Sequence, residues 1–141
     1  MLDSTANRLA ATLRTPAQLA EMEAAIQRMR AAIDEGYTAF SEADFAFHEA
    51  IAAASGNMLI EVGNAVVRDT VLSLISDKIA HARHAKALMR TSLQHHEQVL
   101  DAIRSGDAAA AADASLHSLF EYYATYVPRR ERRALEALLP D

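Results

Sequence analysis

The chain has 141 residues and a mass of 15.3 kDa, the size of one domain, with a net charge of −5 and a pI near 5.6 that speak against phosphate backbones as partners. The absence of cysteine excludes a disulfide framework, thiolate metal sites and thiol catalysis, and fits a reducing compartment. No basic-then-apolar leader opens the sequence, and no apolar run approaches the roughly 18 residues that crossing a membrane requires, so a soluble cytoplasmic domain with no membrane partner is expected.

Abundant Ala, Leu, Glu and Arg with scarce Gly and Pro favour helices throughout. A first helix is predicted over Asp3 to Leu13. Thr15-Pro16 then supplies an N-cap and a first-turn proline for the second, whose apolar stripe is Leu19, Met22, Ile26, Met29 and Ile33 and which Gly36 closes. The third covers Tyr37 to Ser55 and stops at Gly56-Asn57. The fourth is long, Met58 to Ile79, with Leu59, Val62, Val66, Val71, Leu74 and Ile75 as its buried stripe. The polar segment "DKIAHARHAKA" predicts a break near Ala80 to Ala85. A fifth helix runs to Arg104 on Leu88, Leu93, His96, Val99, Leu100 and Ile103. Gly106 stops it, and Asp107 caps a sixth that continues through Leu116, Phe120, Tyr123 and Val127 until Pro128. Arg129 to Leu139 makes a terminal helix whose "RRERR" run reads as a solvated face. No strand alternation is sustained, and no repeat or linker appears. The fold class is therefore all-α, an antiparallel bundle of six or seven helices enclosing a central cavity, with residues 1–141 as a single domain.

Polar residues interrupt three of these stripes. Asp44 and His48 stand four residues apart on the third helix, in line with Phe40, Phe47 and Ile51. His96 sits in the middle of the fifth stripe. His117 follows Ala110 and Ala114 on the sixth and precedes Phe120, again an inward position. A buried charge without a partner costs several kcal/mol, and a buried imidazole needs its hydrogen bonds satisfied. Four such groups meeting in one bundle are most simply satisfied by a divalent cation. Nitrogen and carboxylate donors without sulfur suit Zn, Ni, Mn or Fe, and would leave positions open for water or a ligand carboxylate. Against this, a lone histidine on an apolar stripe is more often a hydrogen-bonded core residue, and spacing leaves that alternative open. A second Asp/His pair, Asp77 and His81, lies among Lys78, Arg83, His84 and Lys86, a solvated setting. His95 points away from the stripe that holds His96.

The segment "DFAFHEAIAAASGN" followed by "HHEQVLDAIRSGDAAAAADASLHSLF" resembles the FCD class of ligand-sensing domain found at the C-terminus of GntR-type transcriptional regulators, and the resemblance extends over nearly the whole chain from Leu2. It implies that Asp44, His48, His96 and His117 are metal ligands, with His96 rather than His95 in the ligand slot and Zn or Ni foremost as the ion. It implies further that a small carboxylate effector occupies the open positions, with Asn57 near the cavity and Arg68 or Arg90 meeting the acid's other end. Pairing into homodimers is a further implication. DNA would be reached only through a winged helix-turn-helix domain, and the sequence contains none.

The function this supports is effector binding and dimerisation in a transcriptional regulator. Two alternatives stay open, a metal-dependent hydrolase or oxygenase on a helical bundle and a structural helical interaction module. No catalytic residue is expected. Zincin chemistry needs His-Glu-x-x-His, and His48-Glu49 and His96-Glu97 have Ala52 and Leu100 where the second histidine belongs. Ferritin-like sites need Glu-x-x-His, and no histidine here has Glu three residues before it.

Overall fold

The capping chemistry read from the sequence sets the helix ends. The Thr15 hydroxyl accepts from the Gln18 backbone N–H at 3.2 Å, and Gln18 Oε1 accepts from the Thr15 N–H at 2.9 Å. This reciprocal box satisfies two donors that the first turn leaves open. The computed structural model describes the backbone of residues 2–124 and 129–137, and the side chains of 3–117, 131–133 and 136–137. Among these residues the chain forms α1 (Leu2–Leu13), α2 (Pro16–Glu35), α3 (Tyr37–Ala54), α4 (Met58–Ala80), α5 (Ala85–Ser105), α6 (Ala108–Ala124) and α7 (Arg129–Glu136), with no strand. The predicted break after the fourth helix appears as a short turn before Ala85. Gly106 ends α5 in the left-handed region at φ 75°, where its N–H reaches the Ala102 and Ile103 carbonyls. No described helix is long and apolar enough to cross a membrane.

Short connections bring α3 back along α2, α4 along α3 and α6 along α5, as in an antiparallel bundle. Helix α3 lies between α2 and α4, α5 packs on α2 and α6, and α1 closes over α6, α3 and α5. The core is built on Phe40, Phe47 and Ile51 of α3, Met22 and Met29 of α2, and Ile103 of α5, each 2% exposed or less. Burying side chains of this size contributes about 1.5–3 kcal/mol apiece. Small residues bring α1 close to its neighbours, with Ala6, Ala10 and Ala11 buried and the Asn7 amide donating to the Ala111 carbonyl at 3.3 Å.

Two expectations about helix phase are corrected. On α4 the buried residues are Ile60 and Ile79, while Leu59, Val62, Val66 and Leu74 are exposed and Val71 and Ile75 only half-buried. This helix is apolar on most of its circumference, so its sequence does not single out one inward face. Among the described side chains of α6, Ala111 and Ala112 are buried, and Ala110 and His117 are exposed. The continuation through Phe120, Tyr123 and Val127, and the break at Pro128, lie outside the described residues.

Candidate metal centre

Helix α3 delivers two of the candidate ligands from a single turn. The stripe of Phe40, Phe47 and Ile51 turns that face into the core and carries Asp44 with it, leaving the carboxylate buried and His48 partly so. Helix α5 brings His96 to the same point because Leu93, Val99, Leu100 and Ile103 bury the stripe around it. The Nε2 atoms of His48 and His96 lie 3.1 Å apart. Asp44 Oδ1 is 3.2 Å from His96 Nε2 and 3.3 Å from His48 Nε2. The three donor atoms form a nearly equilateral triangle. Separations of this size are those of neighbouring ligands that each stand about 2.0–2.2 Å from a shared ion. Among the described residues, Asp44, His48 and His96 make up the group whose ligand atoms all lie within 4.8 Å of one another.

The surroundings orient these donors. His96 Nδ1 donates to the Ser92 carbonyl at 2.6 Å, one helical turn back, so its Nε2 presents a lone pair to the centre. The His96 ring is held edge-to-face against Phe47, with centroids 5.3 Å apart. Burial opposes ionisation of Asp44, but the adjacent His96 and His48 imidazoles outweigh it and hold the carboxyl well below the usual carboxylate range. Burial likewise disfavours the imidazolium of His48, yet its hydrogen bond to Asp44 and the charge of that carboxylate raise its pKa to about 9.

The other residues singled out from the sequence lie apart from this triangle. His117 is exposed on the outer face of α6, with its Nδ1 2.9 Å from the Asp113 carbonyl, and it is not a member of the three-residue group. Arg68 is engaged on α3, where it reaches Glu42 at 3.2 Å and Glu49 at 3.4 Å and stacks 4.9 Å over the Phe45 ring. Asn57 caps the start of α4 by accepting from the Leu59 N–H at 3.0 Å, rather than closing α3, where Ser55 is the cap. Arg90 is exposed. Asp77 and His81 pair at 3.2 Å in solvent, as their charged neighbours indicated. Surface grooves of about 340 Å³ between α2 and α5, and about 220 Å³ between α2 and α3, do not include the cluster in their walls.

The sequence reading missed Ser92 and Phe47 as orienting groups for His96. A backbone carbonyl four residues before a histidine is available in any helix, so position 92 gave no distinctive signal. Phe47 was recognised only as part of the stripe.

The model of one protein family, the FCD domain, matches residues 1–120. Comparison with curated proteins gave no match. The family match takes in most of the chain, including α3 and α5 with all three converging donors. The chain thus belongs to the FCD domain family, the regulatory ligand-sensing domain of GntR-type proteins.

Proposed function

We propose that this FCD domain senses a small organic acid through a divalent cation held by Asp44, His48 and His96. The reading is carried by the convergence of one carboxylate oxygen and two Nε2 atoms within 3.1–3.3 Å, with His96 already turned by Ser92 to present a lone pair. A proton on His48 Nε2 serves only one of the two remaining acceptors, whereas a cation serves all three donors together. The sulfur-free donor set suits Zn or Ni, with Mn and Fe also compatible. Three protein ligands leave coordination positions open, and there a carboxylate effector displaces water. Such a ligand shifts the domain between conformations only as far as it binds one of them more tightly. Contact with operator DNA belongs to a winged helix-turn-helix partner domain.

Calorimetric titration of mono- and dicarboxylic acids, with and without saturating Zn(II), tests this reading. Acid binding that requires the ion, and that is lost in His96→Ala, is the expected result. Acid binding of equal strength to chelator-treated protein would contradict it. A second reading is favoured by the donor set itself, because two imidazoles and one carboxylate also serve non-haem Fe(II) oxygenases. FCD domains belong to regulatory proteins rather than enzymes. Turnover of an organic acid with Fe(II) and oxygen would nevertheless move the balance to that reading.

A further inference from the structure

Helix α4 packs mainly on α3, and lightly for its length. Ile60 and Ile79, near its two ends, are its buried residues, and Val71, Leu72 and Ile75 between them are half-buried. Polar contacts complete the attachment. Ser76 Oγ donates to Ser41 Oγ at 2.8 Å. Arg68 Nη2 donates to Glu42 at 3.2 Å and Nη1 to Glu49 at 3.4 Å, with the guanidinium 4.9 Å over the Phe45 ring. Phe45 is 1% exposed although it stands apart from the main core. Glu42, Phe45 and Glu49 recur at i, i+3 and i+7 on one face of α3. The two turns they span, about 10 Å at ~1.5 Å per residue, are the turns that carry Asp44 and His48. Helix α4 is thus fastened to the bundle at the stretch of α3 that supplies two of the three converging donors.

We propose that Arg68 is a positioning residue, a clamp that couples the ligand-bearing turns of α3 to the docking of α4. A helical turn moves as a unit, so an ion that draws Asp44 and His48 together also shifts Glu42, Phe45 and Glu49 behind them. The planar guanidinium fork can hold two carboxylates at once while its face covers the ring, which an ammonium cannot do. The side chains of Arg68, Glu42 and Glu49 are 38%, 56% and 50% exposed. Each ion pair is therefore weak alone and screened by salt. Together with the stacked ring they make a fastening that yields locally, releasing α4 while α2 and α5 stay packed. An ion that favours the clamped state slows this release, and by reciprocity the released state holds the ion more weakly by the same factor. The coupling rests on the ion reading above; the clamp itself does not.

Amide hydrogen exchange on the full chain tests both parts, with the amides of α2 and α5 as internal controls. In chelator-treated protein, Arg68→Met, which keeps an apolar stem, should speed exchange along α4 about tenfold and leave α2 and α5 unchanged. Raising salt from roughly 0.05 to 1 M should speed α4 exchange in the parent protein and not in Arg68→Met. Saturating Zn(II) should slow α4 exchange in the parent protein by several-fold, and this slowing should vanish in Arg68→Met while the ion still binds. The double variant Glu42→Gln/Glu49→Gln, which leaves Arg68 in place, should reproduce each result and decides the matter if Arg68→Met fails to fold. Unchanged α4 exchange in both chelator-treated variants would overturn the clamp. Equal slowing by Zn(II) in the parent protein and the variants would overturn the coupling. A parent protein that takes up no Zn(II) overturns the ion reading and the coupling with it, a failure recognisable by the absence of binding, whereas the chelator-treated comparison judges the clamp separately.

Discussion

Ion binding at this site should release a proton, because the contacts that assemble the donors also protonate one of them. Beside Asp44, His48 keeps its imidazolium form up to a pKa of about 9, yet an imidazole must be neutral to coordinate. Asp44 stays ionised far below neutrality and contributes no proton. The apparent Zn(II) affinity should therefore climb tenfold per pH unit across this range, or about 100-fold from pH ~6.5 to ~8.5, equivalent to ~2.7 kcal/mol. An unperturbed histidine with a pKa near 6.5 would yield only about a twofold rise over the same span. Calorimetry at pH ~7.5 in two buffers of different ionisation enthalpy counts the protons directly, and about one per ion is expected. His48→Ala should weaken binding and flatten the pH slope. A pH-independent affinity above about 6.5 with no proton released would refute the coupling between Asp44 and His48.

Three further outcomes follow from the same geometry. In chelator-treated protein the raised His48 pKa contributes stability that is complete below about 6.5 and lost as pH rises through about 9. The melting midpoint should accordingly fall over that interval, and His48→Ala should remove this decline. Phe47→Ala, at a position 1% exposed and in edge contact with His96, should cost about 3–5 kcal/mol in urea unfolding and also weaken ion binding. His117→Ala should leave ion stoichiometry unchanged and affinity within about twofold, since a truncation at an exposed position disturbs little; a loss of tenfold or more would bring α6 into the coordination sphere.

The bundle was legible in the sequence wherever large apolar residues alternate with polar ones. Met22, Ile26, Met29 and Ile33 fixed the phase of α2, and Phe40, Phe47 and Ile51 that of α3, and all are buried. Asp44 and His48 were legible for the same reason, because a carboxylate and an imidazole inside so apolar a stripe stand out by contrast. His96 was framed by Leu93, Val99 and Leu100. Phase was lost where composition carried no contrast. The run of alanines opening α6 gives no large side chain to mark an inward face, and His117 fell on the outer side. Helix α4 presents apolar residues all round, so Leu59 and Val66 looked as suited to the core as Ile60. Its rotation is set by tertiary contacts, the Ser76 to Ser41 hydrogen bond and the two ion pairs of Arg68, which no local spacing encodes. The ion pairs of Arg68 were hidden for the same reason, since its partners Glu42 and Glu49 lie on another helix.

Metal analysis of the purified protein after exhaustive dialysis, set beside the Asp44→Ala/His96→Ala double variant prepared in parallel, tests the cation assignment most directly. One divalent ion per chain in the parent protein, and none in a variant that retains its helicity, is the predicted result. Equal ion content in the two proteins, or a parent protein that takes up no divalent ion on titration, would contradict it.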